Sequence, residues 1–205
     1  MNVYVESNFL LEQALEQEQC ENCEQLIKLA STGSIRLAIP AFSLAEPHIA
    51  LMRKASERSR LIAELRKHLA EIERSKPFRE APGNFSELVA VLVRSAERER
   101  EGLERAIETI LRTAVVIPLD SEMLYRGSGI QVGLDMSAQD SIVLACIVAH
   151  LVETRPPESC FLNRNTKDFD DPLVREMLAD LGCKFFARFD DGLRYIEARL
   201  RIEDT

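Results

Sequence analysis

Four carboxylates in this chain fall where an α/β sheet would gather them. Glu6 ends the apolar run Val3-Tyr4-Val5, within VYVESNFLL. Glu46 follows a second apolar run, in IPAFSLAEP, and Asp140 opens a third, in SAQDSIVLA. Asp168 lies just beyond SCFLN, in NRNTKDF. A charge at the tip of a buried strand is costly unless it is paired or metal-bound. Grouped carboxylates repel one another, and a divalent cation relieves that repulsion. Oxygen donors with retained waters suit Mg2+ or Mn2+, whereas few thiols or imidazoles are at hand for Zn2+. Short polar neighbours (Ser7, Asn8 and Asn165) could orient the carboxylates or a water.

Each acid also has an ordinary reading. Glu46 alone is a first-turn acid favoured by the helix dipole. Ser137-Ala-Gln-Asp140 has the form of a capping box, so Asp140 reads as cap or ligand, and the two roles are compatible. Asp168, close to Asp170 and Asp171, reads alone as a solvated charge. Asp171-Pro172 reads as a helix cap followed by proline at the first helical position. Glu6 is the hardest of the four to explain away.

Elements that could position these groups alternate along the chain. Val3–Glu6, IRLAIP, AVVIPL, SCFLN and CKFFARF read as strands. Phe9–Gln17 and Glu21–Ser31 read as helices, the second stopped at Thr32-Gly33. From Phe42 to about Arg74, apolar residues three and four apart predict one long helix, or two joined near Ser56–Ser59. KPFREAPGNF reads as a loop, and Phe85 to Arg112 as a second long helix. Asp120–Tyr125 is expected to be a short helix, RGSGIQVGLDM a glycine-rich loop, and SAQDSIVLACIVAHLV a mostly buried helix. NTKDFDDP reads as a loop, with helices over Asp171–Leu181 and Gly192–Leu200. The alternation predicts an α/β fold: three α/β/α layers around a central five-stranded parallel sheet, plus a long helical insertion. The whole chain, 1–205, reads as a single domain with an extended helical segment at about 50–113. In such sheets ligands bind beyond the carboxyl ends of the strands, where the four acids fall.

Composition narrows the function classes. A net charge of −8 argues against a basic protein that coats nucleic acid, but not against a nuclease whose metal supplies positive charge. No stretch approaches a membrane span, and Met1-Asn2 leads straight into the first strand, so no membrane association and a cytoplasmic location are expected. Cys20 and Cys23 form a CxxC without a second pair or a nearby histidine; they read as helix-face residues rather than a redox pair. Cys146, Cys160 and Cys183 read as small core residues. Among the histidines, His48 could face the cleft, His68 reads as solvated and His150 as a satisfied core residue. RGSGIQVG lacks the lysine and the glycine spacing of the phosphate-binding motifs.

VYVESNFLL, IPAFSLAEP, SAQDSIVLA and NRNTKDF resemble the four motifs of the PIN-domain family. Those proteins are metal-dependent ribonucleases, many of them toxins of toxin–antitoxin pairs. The resemblance covers both ends of the chain and lapses between about Ile49 and Thr113. Glu6 stands where the family usually has its first Asp. Glu46 and Asp140 match its second and third acids, and Asn165 and Asp168 its last motif, with Phe169 as the aromatic anchor.

The resemblance implies Mg2+- or Mn2+-dependent hydrolysis of RNA. Glu6, Asp140 and Asp168 would hold the metal, with Glu46 binding directly or through water. A metal-bound water supplies hydroxide at neutral pH. Ser7, Asn8 and Asn165 would orient ligands or water, and Arg53, Lys54, Arg164 and Lys167 would contact RNA phosphates. The resemblance adds an antitoxin protein as a partner to expect. A homodimer is expected on a separate ground: the amphipathic insert offers more apolar surface than one domain can cover. A second class of answer is a catalytically weak or inactive PIN-like module that binds RNA or a protein through its helical insertion. Glu6 motivates it, because a carboxylate misplaced by about 1 Å can cost roughly 100-fold in rate. An aspartyl phosphatase fits less well, since Glu6-Ser7-Asn8 lacks paired aspartates.

Overall fold

The computed structural model describes residues 1–78 and 85–203. Five short strands form one all-parallel sheet: β1 (Asn2–Tyr4), β2 (Arg36–Pro40), β3 (Val115–Ile117), β4 (Ser159–Leu162) and β5 (Cys183–Phe186). Their order is β3-β2-β1-β4-β5. β1 is therefore central, with Val3 opposite Leu37 on one side and Cys160 on the other. The chain winds outward from β1 to β3, then returns to build β4 and β5 on the far side. The direction reverses between β1 and β4, and ligands of open α/β sheets bind at such a point.

Alternation along each strand separates two cores. Val3, Val5, Leu37, Ile39, Cys160 and Leu162 face one side. They pack with helices α1 (Ser7–Ala14), α2 (Cys20–Ser31), α3 (Phe42–Ile72), α4 (Phe85–Thr113) and α9 (Phe189–Glu203). Tyr4, Ala38, Phe161 and Phe185 face the other side. There they meet α5 (Ser121–Leu134), α6 (Ala138–Thr154), α7 (Thr166–Phe169) and α8 (Pro172–Asp180). The expected three-layer α/β/α arrangement with extra helices is present.

The long helices run as expected, α3 as one piece through Pro47, although that residue lacks the N–H that would bond to Ser43. α3 and α4 lie antiparallel. Their apolar positions alternate four and three apart, and Arg58 reaches across to Glu99 with two hydrogen bonds of 2.9 and 2.7 Å. The connecting loop was expected over KPFREAPGNF; Lys76–Phe78 forms a 3-10 turn, and 79–84 lie outside the described residues.

Three expectations need correction. The glycine-rich stretch RGSGIQVGL is not a loop but most of α5. Asp120 starts that helix by accepting from the Met123 amide at 2.9 Å. Gly127 lets it press onto α6, since a Cβ there would stand 3.1 Å from Ile142 Cγ1. NTKDFDDP is not all loop, because it contains α7. The last helix begins at Phe189 rather than Gly192, because Gln19 caps it: its Oε1 accepts from the amides of Phe189 at 2.6 Å and Asp190 at 3.2 Å. His150, as expected, is a satisfied core residue, 2.8 Å from the Tyr4 hydroxyl. His48 and His68 are exposed. Among the described residues, no single helix is long and apolar enough to cross a membrane.

Candidate metal centre

Glu6 lies two residues past β1, not within it. Its extended backbone (φ −139°, ψ −166°) makes it the N-cap of α1. Short side chains usually fill this position. Here the longer carboxylate folds back, so that Oε1 accepts from the Asn8 amide at 3.0 Å and Oε2 from the Ser7 hydroxyl. The charge at the end of the first strand is thus hydrogen-bonded, but at 4% exposure it is still nearly cut off from water. Burial is the main reason its pKa is pushed up to about 7; Glu46 and Asp140 add repulsion, while Ser7 and Asn8 oppose the rise.

Glu46 arrives on the second turn of α3, directly after β2. Burial raises its pKa, Ser7 hydrogen bonding lowers it, and Asp140 raises it again. The Ser7 hydroxyl therefore acts on two carboxyls. One hydroxyl carries one proton, so it can donate to only one of them at a time.

Asp140 stands in the first turn of α6. Its amide donates to Ser137 Oγ at 3.1 Å, and the same hydroxyl donates to Asp140 Oδ2 at 2.6 Å. Ser137 is thus the N-cap of α6, but the expected capping box is only half formed, because the Asp140 carboxylate meets the Ser137 hydroxyl rather than its backbone N–H. Burial raises the Asp140 pKa, Ser137 lowers it, and nearby Asp168 raises it.

Asn165 ties the fourth motif to the third. Its Nδ2 donates to Asp140 Oδ1 at 3.2 Å and to Asp168 Oδ2 at 3.1 Å. Phe169 anchors α7 behind them, fully buried and edge-on to Phe161 at 5.2 Å. The structure thus brings Glu6, Glu46, Asp140, Asp168, Ser7, Asn8 and Asn165 to one edge of the sheet, at the β1/β4 reversal.

One residue of the site escaped the sequence reading. Asn163, fully buried at the end of β4, accepts with Oδ1 from Asn8 Nδ2 at 3.1 Å and from the Asn165 amide at 2.8 Å. These two donors identify its oxygen. Its Nδ2 is buried without a partner among the described residues. Leaving such a donor unpaired costs about 1–3 kcal/mol, so Asn163 is held for its oxygen. The sequence signal was the repeated Asn of N-R-N, whose first member was counted as strand.

The expected cationic groups separate. Arg53 and Lys167 are exposed and Lys54 is half-buried, and none of the three makes an ion pair among the described residues. Arg164 turns away to the buried carboxylate of Glu12, with Glu18 at 3.6 Å. Cys20 and Cys23 lie on α2, where burial raises both thiols and leaves them poor nucleophiles.

Among the described residues, no three His, Cys, Asp or Glu side chains form a ready-made metal cage. Their oxygens are turned to Ser7, Ser137 and Asn165 instead. Comparison with known proteins adds nothing further: no protein-family model, no curated protein and no solved structure matches the chain.

Proposed function

We propose that this chain is a PIN-like, Mg2+- or Mn2+-dependent endoribonuclease. One observation carries the reading. Burial raises the pKa values of three carboxyls from different parts of the chain, Glu6, Glu46 and Asp140, and repulsion at the β1/β4 reversal adds to it: Glu46 and Asp140 act on Glu6, Asp140 on Glu46, and Asp168 on Asp140. Such repulsion opposes folding, and a bound cation would turn it into attraction. The donor set fits a hard divalent ion, because every charged group in it is an oxygen ligand.

Glu6, Asp140 and Asp168 would hold the ion, with Glu46 beside them. When bound, it would lower the pKa of a water and stabilise charge on the phosphoryl oxygens. The protein's own contribution is placement. Asn165 keeps the Asp140 and Asp168 carboxylates at a fixed separation. The Ser137 cap locks Asp140 to the start of α6, and Ser7 and Asn8 lock Glu6 to the start of α1. Arg53, Lys54 and Lys167 remain available for phosphates, a contact that carries no base preference. A role as the toxin of a toxin–antitoxin pair rests on the resemblance alone.

Cleavage of a mixed RNA substrate with Mn2+ tests this. The native protein is expected to cut internal bonds, and Asp140→Asn to lose at least about 100-fold in rate. Intact RNA with the native protein sinks the nuclease reading. Equal activity in Asp140→Asn would trace the cutting to a contaminant.

A second reading has its own observation. Ile49 and Met52 on α3 are 67% and 73% exposed, beside a cavity of about 310 Å³ between α3 and α4. A PIN-like module that binds a partner through this hairpin would use that surface, with Glu6 serving only as a cap. It predicts no effect of Mn2+ on stability and loss of partner binding in Met52→Asp.

A further inference from the structure

Glu12 is a carboxylate that the metal reading does not use. It sits on α1 with 1% exposure. Burying a charge this deeply costs several kcal/mol unless the charge is paired and hydrogen-bonded. Two groups satisfy it: the Gln19 amide donates to Oε1 at 2.6 Å, and the Arg164 guanidinium donates to Oε2.

Arg164 lies between two residues of the candidate site, Asn163 and Asn165. α1 therefore holds this short segment at two points one helical turn apart. Asn8 binds the Asn163 side chain at 3.1 Å, and Glu12 binds Arg164. The segment in turn presents Asn165 Nδ2 to Asp140 and Asp168. Gln19 extends the anchorage to the start of α9 through Phe189 and Asp190.

We infer that Glu12 is a positioning residue: through Arg164 it sets the Asn165 amide between the two carboxylates, so that Arg164 serves the site from behind rather than by binding RNA. This rests on the nuclease reading for its effect on rate, but not for its effect on Asn165.

Two measurements separate the possibilities. In the first, RNA cleavage with Mn2+ is compared for native protein, Glu12→Gln, Arg164→Gln and the double variant. Glu12→Gln keeps an acceptor for Gln19 and removes the charge that holds Arg164. Its kcat is expected to fall about 10- to 100-fold with KM changed less than about threefold, and the double variant to be no worse than either single one. If Arg164 instead binds phosphate, Glu12→Gln frees it and lowers KM, and Arg164→Gln raises KM and reduces the salt slope by about one. That pattern overturns the inference. Glu18→Gln, which removes an 81%-exposed charge, is expected to stay within about twofold of native. A loss equal to that of Glu12→Gln would also overturn it.

In the second, the side-chain amide signals of Asn165 are followed by NMR in metal-free protein. They are expected to move in Glu12→Gln, and unmoved signals refute the positioning role. If the native protein cleaves no RNA, the nuclease reading fails while these signals still decide the role of Glu12. Should Glu12→Gln not fold, Arg164→Lys carries both tests, because it keeps the charge and loses the planar fork.

Discussion

Glu6 does two jobs that pull in opposite directions. As the cap of α1 it must accept from two donors, and as a member of an acidic group it must tolerate Glu46 and Asp140. Burial lifts its pKa to about 7, with the Ser7 and Asn8 hydrogen bonds opposing the rise and Glu46 and Asp140 adding to it. For a carboxyl raised in the folded state, the proton is held more tightly by the native protein than by the unfolded chain. Stability from this group is then greatest below its ordinary value of 4.5 and falls as pH rises to about 7. Metal-free protein should lose about 3 kcal/mol over that window through Glu6, measured by urea unfolding at several pH values. Glu6→Gln should flatten the decline and be the more stable protein at pH 8. A native profile that rises with pH would contradict the assignment. At this scale the sequence was informative wherever a residue's type is unusual for its place: a Glu after an apolar strand, an Asp three residues after a Ser. It was silent on Glu12 and Asn163. Both look ordinary in the sequence, a Glu on a helix and an Asn at a strand end, and their burial comes from contacts with residues more than 150 positions away.

The elements were legible where hydrophobic spacing is long and regular, as in α3, α4 and α6. They were least legible where glycine does something other than turn the chain. Gly127 lies inside α5 because close approach to α6 outweighs glycine's low helix propensity. Gly102 repeats the device on α4. A Cβ there would stand 2.7 Å from the carbonyl oxygen of Ala14. In an open helix, Gly→Ala gains about 1 kcal/mol, whereas overpacking a close contact costs about 1–3 kcal/mol. The contact is with backbone at the end of α1, which cannot rotate away, so the second effect should win. Gly102→Ala should lower the melting temperature by a few degrees. A melting temperature at or above native would show that α1 and α4 can separate slightly without cost. Four of the five strands end one to three residues before the runs that suggest them, Phe189 of CKFFARF already starting α9, whereas IRLAIP ends at Pro40 as expected. Apolar residues such as Val5 continue the extended pattern after the ladder has ended.

Taken whole, the molecule places its like charges where the sheet reverses, and its stability should respond to a cation. A ligand at 100 times its Kd adds about 2.7 kcal/mol, which for a chain of this size raises the melting temperature by about 5–10 °C. Mn2+ should therefore stabilise the native protein, more at pH 8 than at pH 6, because a proton on Glu6 competes with the ion. Asp140→Asn should respond far less. An unchanged melting temperature at millimolar Mn2+ would favour the partner-binding reading. The layered architecture was visible from alternation alone, since parallel strands joined by helical crossovers are covered on both faces. The wall formed by α3 has a mechanical corollary. Its 31 residues span about 45 Å, and Glu46 lies only about 6 Å from the end fixed to β2. A rigid rod pivoting at that end has a leverage of roughly seven to one between tip and Glu46. A tip pushed sideways by 3 Å would shift the carboxylate by under about 0.5 Å, the tolerance usual for a productive site. Movement at the far end of the hairpin is thus geared down before it reaches the acids.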